Sequence, residues 1–85
     1  MVNKRKIKRW VKERDEVVLS LDIERFKAFY TKWQALGVYD PAKALPSDDI
    51  LEIALRKAIV HMESATEEQK NDAAVWLTMR GYIPR

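Results

Sequence analysis

The residues best suited to chemistry are Arg5, Lys8, Arg9 and Lys12, four cations whose spacing sets them on one side of a helix. Cations grouped this way neutralise phosphates and displace condensed counterions, which is the sequence-independent part of nucleic-acid binding. Trp10 lies among them. Its ring fits two roles, an anchor buried in the core or part of a basic-aromatic surface for nucleic acid or lipid headgroups. The same run also suits an acidic protein surface, and its plainest reading is a solvated helix face.

Charge distribution strengthens the interest of this segment. Residues 1–14 hold seven cations against Glu13 alone, a net of +6, while the whole chain is only +3. The remaining residues are therefore acidic in balance. Basicity confined to one segment is a contact surface more readily than a device for solubility.

Catalytic chemistry finds little material. His61 is the only histidine and there is no cysteine, so multi-histidine and thiolate metal sites are excluded, along with disulfides. Serines fall at or near helix starts, where they cap. Asp48 and Asp49 are adjacent, so on a helix they diverge by about 100° and read as first-turn acids rather than a dyad. Both glycines stand at helix ends, which leaves no phosphate-cradling loop. The expectation is a non-enzymatic protein with no cofactor or metal.

Length bounds the rest. Eighty-five residues make one domain, 1–85, near the lower limit for folding on a single core. No apolar run approaches the roughly 20 residues of a membrane span. The N-terminus lacks the apolar stretch of a signal peptide, and a reducing, cytoplasmic setting fits the absence of cysteine.

Hydrophobic periodicity predicts an all-α bundle of about four helices, over 6–19, 22–36, 47–62 and 66–80, packed around the third. Nine of the thirteen residues from Ile50 to Met62 are apolar, which marks this helix as central. Leu51, Ala54, Leu55, Ala58, Ile59 and Met62 share its broad face, and Ile53 and Val60 form a second strip. In the first helix Ile7, Trp10, Val11, Val17 and Val18 face inward, and Arg9–Glu13 and Lys12–Glu16 are expected i,i+4 pairs. The second carries the cleanest pattern, Ile23, Phe26, Phe29, Tyr30, Trp33 and Leu36, between an Asp22 N-cap and Gly37. Residues 38–46 form a long connection, with Tyr39 and Leu45 to pin it and a short helical turn expected at Asp40-Pro41. Ser47 caps the third helix, and Thr66 to Gln69 has the form of a capping box for the fourth. There Ala73, Trp76 and Leu77 face inward, widened by Val75 and Met79, before Gly81 ends the helix. Residues 1–5 read as a basic N-terminus without fixed structure, and 82–85 as a tail.

One alternative competes over residues 15–21, where Val17, Leu19 and Leu21 alternate as in a strand. EVVLSLDIERFKAFY followed by SDDILEIALRKAI resembles the strand, first helix and second helix of the ribbon-helix-helix family, which implies a DNA-binding dimer. The groove-facing positions would be Glu16, Val18 and Ser20, which are neither basic nor amide, and the link between the helices is longer than that family's turn. Helix is the reading preferred for this segment.

Two functions follow. The first is nucleic-acid association through Arg5, Lys8, Arg9, Trp10 and Lys12, with an acidic protein partner as the variant of the same idea. The second is a protein-interaction or oligomerisation module, in its simplest form a homodimer, using Ile53 and Val60.

Overall fold

The computed structural model describes residues 4–84. Four helices follow in order: α1, Lys4–Ser20; α2, Ile23–Ala35; α3, Asp48–Val60; and α4, Glu67–Met79. There is no strand among the described residues, so the segment resembling the ribbon of a ribbon-helix-helix protein is the last turn of α1. Residues 1–3 and 85 lie outside the described residues, while Lys4 and Arg5, expected to lack fixed structure, are helical.

Three chain signals act as their chemistry requires. Asp22 Oδ1 accepts from the backbone N–H groups of Glu24 and Arg25 at 3.0 and 3.2 Å and opens α2. The Thr66–Gln69 capping box is complete, with bonds of 2.8 and 3.1 Å. Gly37 and Gly81 adopt φ of +85° and +81°, and the following N–H groups bond back to Trp33 and Leu77 at 2.9 Å, closing α2 and α4 as Schellman endings. Ser47 occupies the N-cap position of α3 with extended backbone, but its side chain makes no capping bond. Asp48 instead turns to Lys27 of α2, at 2.7 Å, and ties the start of α3 to its neighbour.

Helix α3 packs against α4, α1 and α2, which makes it the central element. Its burial is narrower than the apolar count suggests. Leu51, Leu55 and Ile59 are buried, whereas Ala54 and Ala58 are exposed. A methyl side chain at the border of the face is too short to reach a neighbouring helix. Val60 and Met62 are half-buried against the core cluster of Val18, Leu55, Ile59, Ala65 and Ala73.

A second cluster contains Val17, Phe29 and Trp33, with Trp10, Phe26, Val38 and Tyr39 packed on it. Val17 and Val18 are neighbours in sequence, yet each enters a different cluster. The end of α1 is thus covered on two sides, which explains adjacent β-branched residues there without invoking a strand. At the other end of α1 the cover runs out, and Ile7 stays exposed. Val75 and Met79 likewise point to solvent rather than widening the inner face of α4.

The connection from 36 to 47 is held by aromatic contacts. Tyr39 stacks on Tyr30 with ring centroids 4.4 Å apart and meets Trp10 and Phe29 edge-on at 5.9 and 6.2 Å. Gln34 Nε2 donates to the carbonyls of Asp40 and Lys43, both at 3.0 Å. The turn expected at Asp40-Pro41 forms, with Lys43 N–H bonded to the Asp40 carbonyl at 3.1 Å and Ala42 N–H to Asp40 Oδ1 at 2.9 Å, a single hydrogen-bonded turn that does not extend into a helix.

Candidate functional site

Arg5, Lys8, Arg9 and Lys12 are all exposed on α1. The helix carries them within eight residues, about 10 Å of axis from Arg5 to Lys12. Arg9 and Lys12 also line an open groove of about 610 Å³ between α1 and α2, together with Glu13, Glu16, Arg25 and Lys32. Val17, Ala28 and Phe29 contribute its remaining, apolar lining. Four of the six charged residues are cations, so the groove continues the positive surface onto a second helix.

Glu13 decides how free these cations are. It was expected to pair with Arg9, four residues before it. Instead its carboxylate bonds Lys32 Nζ at 2.9 Å and accepts from the indole N–H of Trp33 at 3.1 Å. Those bonds hold the Glu13 carboxyl below its ordinary value, the Lys32 hydrogen bond most of all, against desolvation and with help from the Trp33 hydrogen bond and the charges of Lys32 and Arg9. The expected Lys12–Glu16 pair is absent too. Arg5, Lys8, Lys12 and Arg25 have no ionic partner among the described residues. Arg9 lies 6.0 Å from the Trp33 ring centroid, a distant cation–π approach.

Trp10 belongs to the interior more than to this surface. It is half-buried, its indole N–H donates to the Tyr39 hydroxyl at 3.1 Å, and Arg14 covers its ring at 4.9 Å. Burial pushes the Tyr39 hydroxyl above its ordinary value, although the bond from Trp10 works the other way. A ring held on two sides is a poor platform for a base. Of the two roles open to Trp10, the packing matches the core anchor.

The two residues read as an interaction surface are separated by the fold. Val60 packs against the core, and Ile53 is half-buried beside Trp76, Arg80 and Tyr82. More exposed apolar side chains are Ile50 at the start of α3, 55% exposed, and Val75, Met79 and Ile83 along α4 and its tail, 49%, 79% and 65% exposed.

The remaining candidates for chemistry have structural places. His61 is the exposed C-cap of α3. Ser20 donates to the carbonyl of Val17 at 2.6 Å, and Ser64 to Asp15 at 3.0 Å. Among the described residues no group of three or more His, Asp or Glu side chains is arranged to hold a metal ion. No described helix is long and apolar enough to cross a membrane.

Two features were not anticipated from sequence. Arg25 and Lys32, seven residues apart on α2, face the same groove as Arg9 and Lys12, and their i,i+7 spacing was the available signal. The other is an Arg56–Trp76–Arg80 stack between α3 and α4, with guanidinium carbons 4.1 and 3.9 Å from the indole centroid. Only the i,i+4 spacing of Trp76 and Arg80 hinted at it. Comparison with protein-family models, curated sequences and solved structures finds no match for this chain.

Proposed function

We propose that this chain is a non-enzymatic binding protein that holds the phosphate backbone of nucleic acid on the basic face of α1 and the adjoining α1–α2 groove. The observation that carries the reading is the commitment of Glu13 to Lys32 and Trp33, which leaves Arg9 without a salt bridge among the described residues, as Lys12 also is because its pair with Glu16 does not form. Arg5, Lys8, Arg9, Lys12 and Arg25 then present five exposed cations to one polyanion. Phosphate contacts of this kind position a ligand without reading bases, so binding is weak and largely independent of sequence. Titration with duplex DNA, single-stranded DNA and RNA at low salt tests this. Combined Arg5→Glu and Lys8→Glu substitution abolishes binding with the fold intact, whereas Lys70→Glu on α4 has much less effect. Absence of binding to all three nucleic acids rejects the proposal.

A second reading rests on the exposed Val75, Met79 and Ile83, which favour a protein-interaction surface on α4 rather than at Ile53 and Val60. Salt separates the two, since phosphate binding weakens steeply with ionic strength and apolar association does not. Sedimentation of the wild type beside Met79→Glu measures self-association, and a monomer at every accessible concentration excludes a homodimer.

A further inference from the structure

Away from the basic face, a more enclosed pocket of about 190 Å³ lies between the end of α1, α3 and α4. Leu19, Leu21, Ile59, Ala73 and Trp76 give it apolar walls, and Arg56, Gln69 and Asp72 supply its polar groups.

Arg56 is unusual in this setting. Its guanidinium carbon lies over the Trp76 ring, 4.1 Å from the centroid. Nη1 is sealed from solvent and has no hydrogen-bond partner among the described residues. The guanidinium also forms no ion pair among the described residues, with Glu52 one turn earlier or with Asp72 across the pocket. Arg80, over the same ring, adds a second positive charge nearby. Burial disfavours the charged form of Arg56 and Arg80 adds to that, with Glu52 opposing. Arginine nevertheless keeps its charge in proteins, so the cation is partly desolvated and has no ion-pair partner among the described residues, Glu52 offsetting it only at a distance. Since Nη1 is sealed, an anion meets the guanidinium at its remaining N–H groups. Gln69 offers a further donor: its Oε1 is used by the capping box, and its amide N–H groups have no partner among the described residues.

The wall beside these donors is held in a costly conformation. Leu21 has φ of +56°, a left-handed backbone that L-residues avoid, and its side chain lines the pocket. Asp72 places one negative charge on the same lining, which disfavours ligands with more than one.

We propose that this pocket binds a small monocarboxylate with a compact apolar body, the carboxylate on Arg56 and Gln69 and the body against Leu19, Leu21 and Ile59. The site is separate from the nucleic-acid surface and does not depend on it.

Isovalerate is the probe, and isovaleramide its neutral isostere. The full chain is titrated at constant ionic strength while the Trp76 indole N–H and backbone amides are followed by NMR. Isovalerate gives saturable shifts centred on Leu19, Leu21, Gln69 and Trp76, and isovaleramide binds at least about tenfold more weakly. Arg56→Gln, shown to be folded by its amide dispersion, loses at least about tenfold in affinity, and Asp72→Asn tightens binding by removing the nearby like charge. Should Arg56→Gln not fold, the acid–amide comparison on the wild type decides alone. Equal binding of acid and amide overturns the proposal, as do shifts that follow the basic face of α1, or the lack of any saturable shift.

Discussion

The carboxylate of Glu13 accepts the indole N–H of Trp33 at 3.1 Å, and Trp33 is completely buried. A buried indole needs an acceptor, and here a neighbouring helix supplies it. The same Glu13 oxygen lies 2.9 Å from Lys32 Nζ, so one side chain satisfies the core and balances a surface cation.

Glu13→Ala should therefore destabilise by about 1–3 kcal/mol, because the Trp33 N–H is left buried without a partner. Glu13→Gln keeps a carbonyl acceptor for the indole and loses only the half-exposed ion pair with Lys32, worth about 0–1 kcal/mol. Urea denaturation of the two variants distinguishes these roles. Equal losses would mean that the indole bond contributes nothing.

Stability should also fall in acid, with Glu13 contributing. Its folded-state value is depressed from an ordinary 4.5, so folding favours the ionised form. The stabilisation is fully present above the unfolded-state value and is lost as pH falls through the folded-state one. Thermal melts of the wild type should therefore lose stability below about pH 4.5, and Glu13→Gln should flatten that decline. Parallel profiles for the two proteins would contradict the assignment.

Leu55 is 3% exposed at the centre of the cluster joining α1, α3 and α4. Leu55→Ala should cost about 2–5 kcal/mol, according to how far the site collapses. Against about 5–10 kcal/mol for a domain of this size, that loss unfolds a large share of the molecules. A thermal melt indistinguishable from wild type would place Leu55 outside the core.

Helix order and end chemistry were legible in the sequence because both are local. Asp22, Gly37, Thr66 and Gly81 act through backbone groups a few residues away, and all four do as their types predict. The width of a buried face is not local. Ala54 and Ala58 share the apolar side of α3 but cannot reach its neighbours, while Val75 and Met79 extend past the cover over α4. Ion pairing was the least legible property. Glu13 had Arg9 available on its own helix, and only the tertiary approach of Lys32 and the unpaired indole of Trp33 decided the competition. The candidate surface was half legible for the same reason: its α1 part is a charge run, and its α2 part depends on how two helices dock.

The extent of that surface is measurable through salt. Each phosphate neutralised on duplex DNA contributes about −0.9 to the slope of log K against log salt, and about −0.7 on a single strand. Arg5, Lys8, Arg9 and Lys12 alone give a slope of about −3.6 on duplex and about −2.8 on single strands. Arg25, exposed and without an ionic partner among the described residues on the far side of the groove, steepens these to about −4.5 and −3.5 if the polyanion crosses onto α2. Lys32 adds nothing further while Glu13 holds it. Arg25→Glu should then weaken binding and make the slope shallower, with thermal stability unchanged because its side chain is exposed. Glu13→Gln should act in the opposite sense, since it releases Lys32 to the ligand and removes a negative charge from the groove. A wild-type slope near −3.6 with no response to either substitution would confine the contact to α1 and leave the groove without a part in binding.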